Sequence, residues 1–232
     1  MQLIRPVGIA HPRHDLDALG SAVTSDRRRL GSALRSGCTK GGLLIGGTVI
    51  WINGYFGVGK TTTVEHLTQR LSGAATFDPE EIGFLLRRSV PVPTGDFQDL
   101  PAWRHLVAES IVAIMDEHRD QGTESCLLVP MSLTNGRYRT DIFDVLRDAA
   151  LTVHEFFLTA RRNELERRIT GQVLFADDPA RDEAARQWRL AQLDAAAASL
   201  AGLEPKPRIL DTTSVSPAEV ADAIVEELLV GS

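Results

Sequence analysis

The sequence predicts an α/β fold, a three-layer α/β/α sandwich whose mainly parallel, five-stranded sheet lies between helices. Two observations carry that prediction. From Thr48 onward, short apolar runs alternate with stretches of helical periodicity, the pattern of successive βαβ units. The first run, Thr48-Val49-Ile50-Trp51-Ile52, leads straight into Gly54-Tyr55-Phe56-Gly57-Val58-Gly59-Lys60-Thr61, which satisfies G-x-x-x-x-G-K-[ST] at every fixed position. A strand, that loop and then a helix is the arrangement of P-loop NTPases, and in such sheets ligands sit at the carboxyl ends of the strands.

That spacing serves a chemistry. Glycines let the backbone curl until several N–H groups point inward as a nest for phosphate oxygens, and the following helix adds its positive end. The expected nucleotide-binding residues are therefore Gly54, Tyr55, Phe56, Gly57, Val58, Gly59, Lys60, Thr61 and Thr62. Lys60 should reach the β- and γ-phosphates, and the Thr61 hydroxyl should ligate Mg²⁺. The ligand implied is a nucleoside triphosphate as its magnesium complex.

The later elements follow in order. Val64, Leu67 and Leu71 mark one face of the helix after the loop. Ala75 to Phe77 is a short second strand, and Asp78-Pro79-Glu80-Glu81 opens a helix with an N-cap, a proline at N1 and an acid at N3, ended by Pro91 and Pro93. Trp103, Leu106, Val107, Ile111, Ile114 and Met115 repeat at helical spacing between Leu100 and about His118. Ser125 to Leu133 is a buried strand, followed by a helix over about Thr140 to Ala149, the strand Thr152 to Leu158 and a charged helix near Asn163 to Ile169. An irregular stretch, Gly171 to Pro179, precedes a long helix from about Arg181 to Leu200, the strand Arg208 to Leu210, and a helix opened by the capping box Ser216-Pro217-Ala218-Glu219.

The 232 residues, 43% hydrophobic and 24% charged, suit one domain over residues 48–232. Residues 1–47 differ, with seven Lys/Arg against three Asp/Glu, no aromatic residue and no sustained periodicity. They are expected to be a disordered or poorly packed extension, with translation starting near Val49. A net charge of −6 and a pI near 5.5 argue against a dedicated nucleic-acid binder. Cys38 and Cys126 are isolated, which argues against a disulfide framework or structural zinc and for a cytoplasmic location. Residues 41–59 carry no charge over nineteen positions, yet their seven glycines and the phosphate loop mark a linker and a buried strand rather than a membrane span.

Asp78 ends the second strand beside the loop, where kinases of this architecture place a carboxylate that binds Mg²⁺ indirectly or takes the acceptor hydroxyl's proton. It is equally a helix cap. Glu80 either supports the same role or is a first-turn acid favoured by the helix dipole. Arg87 and Arg88 precede Pro91, Pro93, Gly95 and Asp96, a loop expected to face substrate, with Arg87 as the candidate contact. Arg161, Arg162, Arg167, Arg168, Arg181, Arg186 and Arg189 flank the irregular stretch. A mobile lid over about 168–189 is expected to bring an arginine to the transferred phosphoryl group, Arg168 before Arg186. Glu164–Arg168 and Asp182–Arg186 are also ordinary i,i+4 pairs. Trp103 and Trp188 are assigned to the core, and the six histidines form no ligand-spaced cluster. Ser132 and Asn135 follow the third strand where many P-loop ATPases carry a second-metal acid, which favours a kinase over a motor.

The runs VIWINGYFGVGKTTT, TFDPEEIGFLLRRSVP, LLVPMSL and ILDTT resemble the bacterial tunicamycin-resistance ATP-binding proteins over about residues 48–230. More distantly the chain is similar to small P-loop kinases such as the chloramphenicol phosphotransferase, gluconate kinase and shikimate kinase groups. FDPE-x-x-G-F-x-x-R is the family-specific part. The resemblance implies a nucleoside- or shikimate-kinase-like fold, with Lys60 and Thr61 on the nucleotide and Asp78 on the acceptor or metal. It implies an ATP-dependent phosphotransferase acting on a small hydroxyl-bearing molecule, such as tunicamycin or a related nucleoside or sugar compound. ATP-dependent sequestration of the antibiotic without modification is the rival. Membrane association is also implied, peripheral in the absence of a span, and both a monomer and a homodimer are compatible. Where such kinases often carry R-x-x-x-R in the lid, Arg168 is followed four residues on by Gln172, and the leader has no counterpart.

Overall fold

Strand β1, Thr48–Gly54, lies mid-sheet with all its residues buried. Successive side chains of a strand face opposite ways. Ile50 and Ile52 therefore enter one layer of the core, and Val49 and Trp51 the other. The computed structural model describes residues 47–123 and 126–230. After β1 come α1 (Lys60–Arg70), β2 (Ala75–Thr76), α2 (Pro79–Arg87), a 3₁₀ turn (Phe97–Asp99), α3 (Pro101–Asp120), β3 (Cys126–Pro130) and α4 (Gly136–Asp148). The chain continues through β4 (Thr152–Thr159), α5 (Arg162–Gly171), α6 (Pro179–Ala191), α7 (Leu193–Leu200), β5 (Arg208–Asp211) and α8 (Pro217–Val230).

Among the described residues the sheet has five strands in the order β2-β3-β1-β4-β5, every pair parallel. β1 runs beside β3 from Thr48↔Cys126 to Ile52↔Pro130, and beside β4 from Thr48↔Thr152 to Gly54↔Leu158. Val64 and Leu67 of α1 and Val220 and Ile224 of α8 cover the Ile50 face. Trp103, Val107 and Ile111 of α3 and Ile142 and Phe143 of α4 cover the Trp51 face, with the Trp51 and Phe143 rings edge to face at 5.1 Å. Each large apolar side chain buried this way contributes about 1.5–3 kcal/mol. The α/β/α sandwich expected from the alternation is thus the observed fold.

Several boundaries differ from expectation because caps outrank apolar periodicity. Asn135 accepts the N–H of Arg137 at 3.0 Å, so α4 starts at Gly136 rather than Thr140. Asp178 accepts the N–H of Arg181 at 3.0 Å, so α6 starts at Pro179. The long helix expected to Leu200 breaks at Gln192, after which Leu193 is buried in the same core as Leu203. The third strand narrows to Cys126–Pro130, and Ser125 lies outside the described residues. The capping box holds: Ser216 Oγ accepts the Glu219 N–H at 3.3 Å, and the Glu219 carboxylate accepts the Ser216 N–H at 2.8 Å. The extension expected over residues 1–47 lies outside the described residues apart from Gly47, whose carbonyl accepts the Thr152 N–H at 3.0 Å. No helix among the described residues is long and apolar enough to cross a membrane.

Candidate functional site

The carboxyl end of β1 turns into the phosphate loop at Gly54, and the turn demands glycine. Its φ is +138°, and a Cβ there would lie 2.4 Å from the Leu158 carbonyl oxygen of β4. Gly59, at φ +97°, caps α1 in the left-handed region. The loop is held from beneath by side chains. Asn53 Oδ1 accepts the N–H groups of Gly54 and Leu133, each at 2.8 Å, while its Nδ2 donates to the Leu133 carbonyl at 2.8 Å and to Glu155 at 3.0 Å. Glu155 is paired with Arg139 at 2.6 Å. Ser132 Oγ donates to the Gly54 carbonyl at 2.8 Å, and Thr212 Oγ1 to that of Val58 at 3.2 Å. Ser132 therefore steadies the loop from the place where other P-loop proteins carry an acid.

Lys60 folds back over this cradle. Its Nζ donates to the carbonyls of Gly54 at 3.1 Å and Tyr55 at 3.0 Å and lies 5.7 Å from the Phe56 ring centroid. Burial lowers its pKa to about 8; Glu80 opposes that shift and Arg189 adds to it. Thr61 and Thr62 are exposed at the start of α1, Tyr55 packs edge to face on Phe157 at 5.3 Å, and Val58 is buried. A glycine-built cradle with a lysine above it and a helix N-terminus behind it could hold a triphosphate, and Thr61 and Thr62 are the exposed hydroxyls beside it that a Mg²⁺ could use. Among the described residues no His/Cys/Asp/Glu cluster could hold a metal by itself.

Just past β2, Asp78 caps α2 by accepting the Glu80 N–H at 2.9 Å. Trp103 Nε1 anchors the same turn by donating to the Pro79 carbonyl at 3.0 Å. Asp78 and Glu80 reach solvent, yet the surrounding protein partly desolvates both and raises their pKa values. For Glu80 the neighbouring Asp78 adds to the rise, whereas Lys60, Arg189 and Arg87 oppose it. Glu80 is thus the acid that senses the loop lysine.

The arginines make contacts that the sequence alone does not show. Arg87 donates to the Gly95 carbonyl and stacks 4.9 Å from the Phe97 centroid, so it braces the loop expected to face substrate. Arg168 pairs with Glu164 at 2.7 Å and donates to the Thr212 carbonyl at 2.6 Å and the Gly57 carbonyl at 3.4 Å. It clamps the back of the phosphate loop. With Gly57, Gly59, Arg167, Gly171, Gln172 and Pro217 it lines an open pocket of about 320 Å³ that extends the cradle. Arg186 pairs with Asp182 at 2.6 Å, and Asp182 in turn accepts the N–H groups of Leu174 and Phe175, so this pair ties the segment before α6 to the helix. Arg189, which has no distinguishing spacing in the sequence, is the α6 cation that senses both Lys60 and Glu80. Its guanidinium lies 5.4 Å from the Phe56 centroid and donates to Gln172 at 3.0 Å. Trp103 is in the core, but Trp188 is 55% exposed and is not. Its ring meets that of Phe56 edge to face.

No family model and no curated protein matches the chain. Solved structures do. The Mycobacterium tuberculosis APS kinase CysC, in complex with AMPPNP and APS, is 17% identical, with 79% of this chain and 98% of that chain covered at a TM-score of 0.52, and shares the fold. The Deinococcus radiodurans tunicamycin resistance protein is 31% identical, with 78% of this chain and 95% of that chain covered at a TM-score of 0.56. That identity, spread across almost the whole of the other protein, means that the chain belongs to the tunicamycin resistance protein family, built on the kinase-like P-loop fold.

Proposed function

We propose that the protein is an ATP-dependent phosphotransferase acting on a small hydroxyl-bearing molecule, a nucleoside antibiotic of the tunicamycin kind being the first candidate. The observation that supports this most is that Asp78 follows β2 at the same carboxyl end of the parallel sheet from which β1 enters the phosphate loop, with Glu80, the acid coupled to Lys60, two residues on. A hydrolase needs no such acceptor wall. In the transfer, Asp78 takes the acceptor hydroxyl's proton, the freed oxygen bonds to the γ-phosphorus, and ADP departs as the bridging bond breaks. Lys60 follows the phosphates, and Arg189 supplies charge from the lid. Mg²⁺ bound at Thr61 would neutralise phosphate charge. The pairing of Asp78 with its own helix also suits a protein that sequesters the compound without modifying it, since a cap alone explains that bond.

ADP release with and without tunicamycin tests the proposal. Release that requires the compound and disappears in Lys60→Ala is expected. Release that ignores it would contradict the proposal.

A further inference from the structure

All three tryptophans fall within the described residues, and they divide sharply: Trp51 and Trp103 are fully buried, whereas Trp188 is 55% exposed. Single exposed apolar side chains are ordinary, and Leu85 and Val173 are of that kind. Trp188 differs because its ring is held. It meets Phe56 edge to face, 5.2 Å between centroids at 65°. Phe56 belongs to the phosphate loop and is itself flanked by the cations of Lys60 and Arg189. These are two of the three cations that act on Glu80, Arg87 being the third. The aromatic pair therefore stands on the acid-facing side of the cradle. The pocket that extends the cradle past Gly57 and Gly59 toward Pro217 is lined by neither ring.

We propose that Trp188, backed by Phe56, is the stacking platform of the acceptor, and that the acceptor is a hydroxyl-bearing molecule with a flat π face rather than a saturated polyol. This rests on the assignment of the acid-facing side to an acceptor. An open indole favours flat partners, and stacking a base on an aromatic ring corresponds to about 10- to 100-fold in affinity. Asp78 and Glu80 take the hydroxyl end, which leaves Trp188 for the flat end.

Calorimetry on the protein saturated with AMPPNP and Mg²⁺ tests this, with tunicamycin and uridine as flat-faced probes and glucose and gluconate as saturated ones. A flat-faced probe should bind more tightly than either saturated one. Trp188→Ala should weaken it about 10- to 100-fold, Trp188→Phe by about threefold or less, and AMPPNP should bind all three proteins equally. Because only Trp188 is exposed, the probe should also shield tryptophan emission from iodide. The proposal fails if Trp188→Ala binds the flat probe as the wild type does, if AMPPNP weakens in parallel, or if no flat-faced probe binds. Since AMPPNP cannot transfer its terminal phosphate, a protein that only sequesters its ligand would still show the effect, so failure of transfer and failure of the platform are distinguishable.

Discussion

Asp78 accepts the backbone N–H of Glu80 at 2.9 Å, so the acid proposed to take the acceptor's proton is also the cap of α2. Asparagine caps a helix as well as aspartate but cannot take a proton. Asp78→Asn should therefore melt like the wild type, bind ATP normally and lose about 10²- to 10⁴-fold in transfer rate. Asp78→Ala should in addition lose about 1 kcal/mol of stability. Thermal melts and turnover rates check both, and full turnover in Asp78→Asn would leave capping as the residue's role.

Burial lowers Lys60 to about 8, and a bound triphosphate favours its charged form. ATP binding above that pH must therefore take up a proton. Affinity should be flat with respect to Lys60 below about pH 7 and fall as the pH rises through 8, approaching tenfold per unit. Lys60→Ala should bind ATP weakly throughout and lose that slope. Titration calorimetry across this range decides it.

Arg139 and Glu155 form an ion pair at 2.6 Å with side chains only 4% and 5% exposed, and Glu155 also receives Asn53 from beneath the phosphate loop. Arg139→Met should cost about 3–5 kcal/mol in urea unfolding, because it leaves a buried carboxylate without its counter-charge. The double variant Arg139→Met, Glu155→Leu should recover much of that loss. Equal stability of the single variant and the wild type would show that the pair is not a support of the loop.

What was legible in the sequence was local. The phosphate loop, the Asp78 and Ser216 caps and the alternation of strands and helices are written in neighbouring residues, and each stands where expected. The long-range partners were not. Nothing near Arg168 in sequence shows that its guanidinium reaches Thr212, forty-four positions on. Nor does the sequence show that Arg87 reaches the Gly95 carbonyl and the Phe97 ring. Helical spacing assigns Trp188 to the core because periodicity shows that a face is apolar, not what covers it, and Arg189 is set apart from its neighbours only by long-range partners, Phe56, Lys60 and Glu80.

The fate of the γ-phosphate decides directly whether the protein transfers it. Protein, Mg²⁺, γ-labelled ATP and tunicamycin, with other flat-faced hydroxyl compounds beside it, should yield label in a phosphate ester of the acceptor, and Asp78→Asn should lose that product while still binding ATP. Label that stays in ATP or appears only as free phosphate, with the compound bound but unchanged, would contradict the account.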